Sequence, residues 1–382
     1  MKRILLTCTD LMTIQFMVPH IRYLAENGFS VDLACSVVGN RLEDVKNAVG
    51  NVAKIHTLRL VRSPFSPVNL KGYGDLKKIL AENEYDIIWT NEPVMGVMTR
   101  LAARKVRKKG TKVLYMAHGF HFFKGAPLLS WLMWAPTEII MSHFNDILVT
   151  INWEDYNWAK KHTHTAVIKH IDGIGVDFSE REGVISREEK RTQLGIAPDD
   201  ILVLSVGELQ KRKNHQVIIE AIAKLKNDKI KYIICGQGVL ENHLKALVTK
   251  NNLQNQVFFL GYRQDIPEIM GACDIFAHPS VREGLGLASL EAMASGLPLI
   301  TSNVQGVPDY VKNGVTGYMC APKDIEAFAR NMNTLVNDKN LRKKIGTNNI
   351  DFVQKYRVEV IEPVIKSILD ESLSAKETVK VN

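Results

Sequence analysis

Short apolar runs alternate with longer amphipathic segments along the whole chain. In the first half, five runs have the β-branched and aliphatic character of strands: Arg3–Thr7, Val31–Cys35, Tyr85–Thr90, Thr111–Met116 and Asp146–Ile151. Stretches with the helical period fill most of the gaps between these runs. This alternation predicts βαβ units, in which helices cover a parallel sheet.

A second set of strand-like runs follows the polar stretch Ser179–Asp200. They are Ile201–Val206, Lys231–Cys235, Gln256–Leu260, Asp274–His278, Leu297–Thr301 and Thr316–Cys320. A chain of 382 residues exceeds the size at which a single core stops growing, which predicts two α/β domains. The predicted parts are an N-terminal domain (1–172), a linker (173–195), a C-terminal domain (196–355), and a C-terminal segment (356–382) that packs back on the N-terminal domain and ends in a frayed tail.

Composition narrows the classes of protein. The chain is 46% hydrophobic and 24% charged, which is ordinary for a globular protein and argues against disorder. Its net charge of +8 suits an anionic ligand or an anionic membrane surface. The basic residues do not form one stripe with interleaved aromatics, so we do not expect a nucleic-acid partner. Five cysteines without metal spacing are expected to be reduced core thiols.

Three loops after strands of the second half carry candidate chemistry, because ligands of open α/β sheets bind beyond the carboxyl ends of the strands. The first has Gly207, then the cations Lys211, Arg212 and Lys213, then Asn214 as an expected N-cap. Cations beside a helix N-terminus make an anion site, although a solvated basic loop would have the same sequence.

The second loop contains Gly236 and Gly238, a Gly-x-Gly that would let backbone approach a ligand but lacks the third glycine of a dinucleotide fingerprint. The third loop ends near Gly286, where a helix is expected to begin. Glu283 lies just before this helix and Glu291 about one turn within it.

The motifs of these loops resemble those of retaining glycosyltransferase family 4. Glu-x₇-Glu in "EGLGLASLEAMASGLPLI" precedes "GVPDYVKNGVTGY", and "VGELQKRKNH", "GQG" and "LGYRQDIPEIMGACDIFAHPS" occur in the family's order and spacing. "HGFHFFKGAP", "TINWEDYNWAKK" and "IDGIGVDFS" resemble more loosely a bacterial branch that builds capsular polysaccharide and exopolysaccharide. The resemblance implies the GT-B fold, an α/β fold of two Rossmann-like parallel-sheet domains facing a central cleft. It also implies that the N-terminal domain (1–172) binds the acceptor and the C-terminal domain (196–355) binds the nucleotide-sugar.

The resemblance also implies roles on the donor side. Glu291 would bind the ribose hydroxyls, Glu283 the donor sugar and Lys213 the phosphate. Further nucleotide-sugar contacts are expected from Gly207, Arg212, Gly236, Gly238, Arg263, Gly284, Gly286, Leu287 and Ala288. Glu208 replaces the family's usual arginine, so either Glu208 turns away from the diphosphate or Lys211 or Arg212 supplies the missing cation. Arg212 is favoured for its forked guanidinium.

On the acceptor side, the resemblance places His118 near the sugar and the reacting centre, with a core or loop-capping histidine as the alternative. His121 is a neighbour of this site with weaker support. The family's N-terminal glycine-rich loop is replaced by "TCTDLMTIQF", in which Asp10 could reach the acceptor.

The implied function is a metal-independent, retaining hexosyltransferase. It would move a hexose or N-acetylhexosamine from a nucleotide-sugar, with UDP favoured over GDP by family frequency, to a lipid-linked or oligosaccharide acceptor. The nucleotide-sugar is a co-substrate rather than a cofactor, and no Asp-x-Asp motif suggests a metal. The alternatives are a nucleotide-sugar epimerase and a non-catalytic partner in polysaccharide assembly.

The location expected for the protein is the cytoplasm, with peripheral contact at the inner face of the membrane. The N-terminal apolar run is too short for a signal peptide, and the best apolar run, Ala126–Pro136, is about half of a membrane span. Trp131, Trp134 and the basic run Ala103–Lys112 resemble a membrane-surface anchor across residues 103–136. A buried helix or a solvated helix end are the alternatives.

Overall fold

The computed structural model describes residues 1–37, 42–178 and 185–374. The chain divides into two compact units. Unit 1 contains residues 1–175 and the C-terminal segment that begins at Val358, and unit 2 contains residues 176–357.

Unit 1 is built on a parallel sheet. Its strands are β1 (Lys2–Asp10), β2 (Phe29–Ser36), β3 (Ala53–Thr57), β4 (Ile87–Asn91), β5 (Lys112–Ala117), β6 (Ile147–Thr150) and β7 (Val167–His170). The spatial order is β3-β2-β1-β4-β5-β6-β7. The helices of this segment are α1 (Leu11–Ile14), α2 (Val18–Glu26), α3 (Leu42–Val49), α4 (Val68–Glu82), α5 (Pro93–Ala102), α6 (Arg104–Lys108), α7 (Leu128–Met141) and α8 (Trp153–His162), with 3₁₀ turns at Gly50–Val52 and Ser142–Phe144.

Unit 2 repeats the design with six parallel strands. They are β8 (Ile201–Val206), β9 (Ile230–Cys235), β10 (Val257–Gly261), β11 (Ile275–His278), β12 (Leu299–Ser302) and β13 (Gly317–Cys320). Their order, β10-β9-β8-β11-β12-β13, is the 3-2-1-4-5-6 order of dinucleotide-binding sheets. The helices are α9 (Arg187–Gln193), α10 (His215–Leu225), α11 (Glu241–Lys250), α12 (Ile266–Ala272), α13 (Leu287–Ala294), α14 (Val307–Tyr310), α15 (Ile325–Asn337) and α16 (Lys339–Phe352), followed by a 3₁₀ turn at Val353–Tyr356.

The C-terminal helix α17 (Val358–Ser374) belongs to unit 1. It packs beside α2, and its Asp370 and Glu371 pair with Lys2 and Lys169 of the N-terminal segment. The predicted tail beyond Ser374 lies outside the described residues.

All eleven predicted strands are confirmed, and the sequence pattern missed β3 and β7. Both are edge strands of the unit 1 sheet, and their residues are only partly buried. An edge strand with one partner and partial solvent exposure does not need the continuous apolar run of a central parallel strand.

The predicted linker, 173–195, contains helix α9, which is part of unit 2. Ser186 caps this helix by accepting a hydrogen bond from the Glu189 amide. The buried ammonium of Lys190 lies 2.5 Å from Asp265 and 2.6 Å from Glu268, which fixes α9 to the start of α12. These ion pairs with distant residues explain why a charged, linker-like sequence is folded.

The core of each unit lies between its sheet and the covering helices. All five cysteines are buried, as predicted, and none forms a disulfide. Within the described residues, no helix combines the length and apolarity needed to cross a bilayer.

Candidate functional site

Three loops of unit 2 meet at the carboxyl edge of its sheet. The Val281 amide donates to the Arg212 carbonyl at 2.8 Å, which joins the loop after β11 to the loop after β8. The Leu209 amide donates to the Gln237 carbonyl at 3.0 Å, which joins the loop after β8 to the loop after β9. The structure therefore brings together the three loops that the sequence indicated.

Glu283 is the centre of a compact charged cluster in these loops. Its Oε2 atom accepts from Lys213 Nζ at 2.8 Å, from His278 Nε2 at 3.0 Å and from Arg212 Nη1 at 3.4 Å. The Glu283 and Lys213 side chains are each 14% exposed. Two of these partners, Arg212 and Lys213, were predicted; His278, the last residue of β11, was not.

The electrostatics of the cluster keep Glu283 ionised. Burial alone would raise the pKa of Glu283, but Lys213, His278 and Arg212 outweigh it and hold this pKa well below its usual range. Burial and the neighbouring Lys213 lower the pKa of His278, so its imidazole is neutral at pH 7 and donates through Nε2. The site therefore contains a fixed carboxylate with a cation beside it.

Gly286 turns the chain into α13 at this point. Its φ of 90° lies in the left-handed region, and a Cβ there would lie 2.8 Å from the Tyr310 hydroxyl oxygen and 3.2 Å from Glu283 Cγ. As Gly286 is the N-cap, the following amides of Leu287 and Ala288 have no acceptor within the helix. Such amides, together with the helix dipole, favour an anion in front of α13. Gly284 lies in the same loop, half-buried.

The glycines of the second loop allow close packing against a neighbouring loop, and their expected contact with the ligand stays a prediction. A Cβ at Gly236 would lie 2.0 Å from the Gly207 carbonyl oxygen, and one at Gly238 would lie 2.6 Å from the Leu209 carbonyl oxygen. The absence of side chains at Gly236 and Gly238 thus lets the backbone of the loop after β8 pack closely against them. A Cβ at Gly207 would meet the Lys213 side-chain carbons at 3.2 Å, so Gly207 makes room for Lys213.

The structure also locates the residues around the missing family arginine. Glu208 is exposed, and its carboxylate accepts from the Gln210 side chain at 2.6 Å within its own loop. Lys211 is exposed, whereas Arg212 is half-buried in the Glu283 cluster. Arg212 is thus a second cation beside Glu283, and its expected contact with the diphosphate stays a prediction.

Asn214 occupies the expected N-cap position of α10 but does not cap it with its side chain. Its amide donates instead to the Pro279 and Pro322 carbonyls, at 3.1 and 2.8 Å. Asn214 has φ 55° and ψ 33°, a left-handed conformation that asparagine tolerates. This residue therefore ties the β8 loop to the loops after β11 and β13.

Arg263 and Glu291 are the two remaining predicted side chains of unit 2. The Arg263 guanidinium forms two hydrogen bonds with Asp265, at 2.7 and 2.5 Å, and this pairing holds the pKa of Asp265 well below its usual range. A nucleotide contact from Arg263 would have to share the guanidinium with that carboxylate. Glu291 lies in the second half of α13 and is partly buried.

In unit 1, His118 follows β5 at the carboxyl edge of the sheet. Its Nε2 donates to Asn91 Oδ1 at 2.9 Å. Burial, with a smaller contribution from His20, lowers the pKa of His118 to about 4, so the ring is neutral at pH 7. Its Nδ1 is then the basic nitrogen of the ring. Asn91, at the end of β4, is a partner that the sequence analysis missed.

Asp10 ends β1 at the same edge and is 1% exposed. Its two carboxylate oxygens accept from Arg62, at 2.5 and 3.0 Å. The next strand end carries Glu92, whose φ of 65° is unusual for a residue with a side chain. The Glu92 carboxylate accepts from the Thr9 amide at 2.7 Å and from the Thr13 hydroxyl, which links the β4 and β1 ends.

His121 lies on an aromatic wall rather than beside Asn91. Its ring makes an edge-to-face contact with Trp134 of α7, with centroids 4.9 Å apart. Phe120 and Phe122, on either side of His121 in the chain, are buried against Trp158. Phe120 and Phe122 therefore anchor the loop, while His121 between them contacts Trp134.

Within residues 1–37, 42–178 and 185–374, no group of three or more His, Cys, Asp or Glu side chains is arranged to hold a metal ion.

Comparison with known proteins identifies the family of the chain. Residues 186–352 match the family described as "Glycosyl transferases group 1", and residues 5–152 match "Glycosyl transferase 4-like". EpsD of Bacillus subtilis, named as a glycosyltransferase, is 34% identical over 364 residues, which cover 93% of each chain. An Escherichia coli protein named as a UDP-Gal:α-D-GlcNAc-diphosphoundecaprenol α-1,3-galactosyltransferase is 29% identical and covers 90% of this chain and 91% of its own.

Among solved structures, Anabaena HepE in complex with UDP and glucose superimposes with a TM-score of 0.80 at 21% identity, covering 97% of this chain and 100% of HepE. The predicted fold class, the paired Rossmann-like parallel-sheet domains of GT-B glycosyltransferases, is confirmed. With the full-length similarity to EpsD, the chain belongs to the group 1, family 4-like glycosyltransferases and is a glycosyltransferase enzyme.

Proposed function

We propose that this enzyme transfers a hexose or N-acetylhexosamine from a UDP-sugar to a lipid-linked saccharide in cell-surface polysaccharide synthesis, with retention of anomeric configuration. The observation that carries the proposal is the Lys213–Glu283 pair beside the N-terminus of α13. It joins a cation and free helix amides, which suit a diphosphate, to a fixed carboxylate, which suits sugar hydroxyls.

The proposed reaction breaks the bond between the anomeric carbon and the diphosphate oxygen. Negative charge then grows on the diphosphate, and Lys213, Arg212 and the first amides of α13 stabilise it without having to reorganise. Glu283, held ionised, accepts hydrogen bonds from donor-sugar hydroxyls, and Glu291 accepts those of the ribose. Charge-assisted hydrogen bonds of this kind contribute roughly 1.5–3 kcal/mol each.

Retention is proposed to arise from attack on the same face that the diphosphate leaves, with a leaving phosphate oxygen taking the acceptor proton. Glu283 is a poor candidate for a nucleophile because its Oε2 already accepts from Lys213, His278 and Arg212. His118, with a neutral ring at pH 7, is proposed to hydrogen-bond the substrates. We propose no metal in this reaction.

The names of the relatives support the choice of substrates. The E. coli relative is named for a UDP-galactose donor and a saccharide linked to diphosphoundecaprenol. The HepE structure contains UDP and glucose. We propose the same classes of donor and acceptor for this chain, rather than a GDP-linked donor.

Peripheral contact with the inner face of the membrane is also part of the proposal. Three leucines of α7, Leu128, Leu129 and Leu132, are 73%, 65% and 65% exposed. The exposed cations Arg104 and Lys105 begin α6 in the same predicted segment. Exposed leucines together with basic residues are typical of surfaces that adsorb to anionic bilayers.

The test is a transfer assay on the full chain. A panel of UDP-sugars and GDP-mannose is incubated with a saccharide-diphosphate-lipid acceptor, and the linkage is read by NMR. An inverted linkage would contradict the retaining mechanism. A rearranged sugar formed without acceptor would indicate an epimerase, and neither product with any donor would favour the non-catalytic alternative.

Measuring UDP binding tests the proposed contact of Glu291 with the ribose separately from sugar transfer. We expect Glu291→Ala to weaken UDP binding by about tenfold or more in titration calorimetry, because one charge-assisted acceptor is lost. Glu326→Ala is the matched control, since Glu326 is an exposed acid of α15 paired with Lys224. Equal UDP affinity in the two variants would overturn the role of Glu291.

A further inference from the structure

Unit 1 contains an apolar groove of about 850 Å³ that the proposed donor site does not use. Its walls are the segment 64–73 at the start of α4, one face of α5 and one face of α7. The apolar side chains that line it include Phe65, Leu70, Val94, Val97, Leu101 and Trp134. This volume lies within the range of small-molecule sites, which is about 300–1,000 Å³.

Hydrogen bonds and an ion pair hold the walls of the groove in place. Asn69 accepts from the Val61 amide at 3.0 Å and donates to the Ser63 carbonyl at 2.8 Å, which fixes the turn that carries Phe65. The buried pair between Arg100 of α5 and Glu138 of α7, at 3.0 Å, holds the two helices together. The groove is therefore a formed feature of the fold.

Two large apolar side chains of the wall are nevertheless exposed. Phe65 is 79% exposed and Leu70 is 75% exposed. Folding alone does not account for apolar groups of this size left in water at the rim of an apolar groove, and such patches commonly bind a ligand, a protein or a membrane.

The two ends of the groove differ in chemistry. At one end, Pro93 begins α5 immediately after Asn91 and Glu92, at the sheet edge that carries His118. Trp134 of the lining contacts the ring of His121. At the other end is Arg104, about 16 Å farther along the helical path, since a helix rises about 1.5 Å per residue.

The Arg104 end is basic. Arg104 and Lys105 are exposed, and Lys108 and Lys109 follow on the exposed side of the same segment. The Arg104 guanidinium lies over the Phe144 ring at 5.1 Å. A groove that is apolar along its length and cationic at one end complements a hydrocarbon chain that emerges from an anionic bilayer.

We propose that this groove binds the prenyl-type hydrocarbon chain of the acceptor, with its saccharide end at the His118 edge and its chain leading to the Arg104 end and the membrane. The inference rests on the proposed lipid-linked acceptor. It differs from adsorption through α7, because Leu128, Leu129 and Leu132 do not line the groove.

The test uses farnesyl diphosphate, a short water-soluble prenyl diphosphate, and the full chain. Binding of radiolabelled farnesyl diphosphate to the chain is measured by equilibrium dialysis, with inorganic pyrophosphate as competitor. The groove variant is Phe65→Ser with Leu70→Ser. Its matched control is Val68→Ser, since Val68 is 40% exposed, lies on the same turn of chain and does not line the groove. A third variant replaces Leu128, Leu129 and Leu132 by Ser.

The expected result is saturable binding that excess pyrophosphate does not abolish. The groove variant should bind farnesyl diphosphate about tenfold more weakly or worse, because two large apolar contacts are lost. The Val68→Ser control and the α7 variant should bind it as the unchanged chain does, while the α7 variant loses binding to phosphatidylglycerol vesicles. All three variants change exposed side chains, and their melting temperatures verify folding.

Three results would overturn the proposal: no saturable binding, unchanged binding by the groove variant, or full displacement by pyrophosphate. A separate measurement distinguishes this failure from failure of the proposed function. If the chain transfers sugar to an acceptor lacking a lipid tail, and the groove variant does so equally well, the transferase assignment stands whatever the dialysis shows. Binding of farnesyl diphosphate without transfer to a lipid-linked saccharide would refute the proposed acceptor and leave the groove as a prenyl-chain site.

Discussion

Replacing Lys213 by Met removes the cation closest to Glu283. Lys213 Nζ and Glu283 Oε2 are 2.8 Å apart, and both side chains are 14% exposed. At an effective dielectric constant of about 20, unit charges at this distance attract by about 6 kcal/mol, and desolvation offsets most of that. Arg212 and His278 remain beside the carboxylate, so we expect the free energy of unfolding to fall by about 2–3 kcal/mol, near the lower limit for a broken buried pair.

The stability loss should depend on pH with a definite sign. The pKa of Glu283 in the folded protein lies well below the ordinary value of 4.5, so its ionisation stabilises the fold above pH 4.5, and this is lost as pH falls through the folded pKa. Without Lys213, burial is less opposed and the pKa rises. The stability lost on acidification grows with the gap between the unfolded and the folded pKa, and this gap is smaller without Lys213. Urea unfolding between pH 7 and pH 4 should therefore show that Lys213→Met loses less stability as pH falls than the unchanged chain.

Donor binding should weaken in the same variant. A charge-assisted contact to phosphate contributes roughly 1.5–3 kcal/mol, which corresponds to about a 10–150-fold loss of UDP affinity in titration calorimetry. If Lys213 also stabilises charge that grows on the diphosphate in the transition state, kcat should fall by about 10²–10³-fold.

Lys211→Met is the matched control, because Lys211 is an exposed cation two residues away in the same loop. It changes net charge equally and should leave UDP affinity and unfolding nearly unchanged. Lys213→Arg should retain most of the stability because it keeps the charge. The reasoning is refuted if Lys213→Met binds UDP as tightly as Lys211→Met and unfolds at the same urea concentration.

Three further predictions concern the scaffold around the sites. Glu138→Ala leaves Arg100 buried without a carboxylate partner, so the free energy of unfolding measured in urea should fall by about 3–5 kcal/mol. A loss below about 1 kcal/mol would show that the two charges do not form a stabilising buried pair. Gly238→Ala places a Cβ 2.6 Å from the Leu209 carbonyl oxygen and should lower both the melting temperature and the affinity for UDP. Its control is Gly74→Ala in α4, where a Cβ meets open space and the change should be neutral or stabilising; similar melting temperatures of the two variants would refute the close contact at Gly238. The pKa of His118 is about 4 against an ordinary value of 6.5, so its contribution to stability is present above pH 6.5 and is lost as pH falls towards 4. His118→Asn should therefore reduce the slope of unfolding free energy against pH in that window by up to about 1.4 kcal/mol per pH unit, and an unchanged slope would show that His118 is not buried in its neutral form.

The local sequence determined the secondary structure of the central strands and of helix α13. Central parallel strands are covered on both faces, so each must be a continuous apolar run, and such runs can be found without knowing their partners. Gly286 and the apolar positions after it specify the start of α13 by local sterics alone. Edge strands β3 and β7 lack this constraint and were missed.

The resemblance to known motifs supplied Lys213 and Glu283, but only the tertiary structure joined them. They are 70 residues apart in sequence, and the turns after β8 and β11 bring them to 2.8 Å. The partner His278, the sharing of Arg263 with Asp265, and the packing of Gly238 on Leu209 are contacts between segments distant in sequence. No local pattern encodes them.

The difference between the two kinds of information has a physical cause. Hydrophobic period, caps and glycine conformations act over a few residues, so the sequence by itself determined the α/β class, most strands and the start of α13. Burial, charge compensation and surface grooves depend on segments that meet only after folding. The low pKa of Glu283, the neutral ring of His118 and the apolar groove beside Trp134 were therefore decided by the tertiary structure.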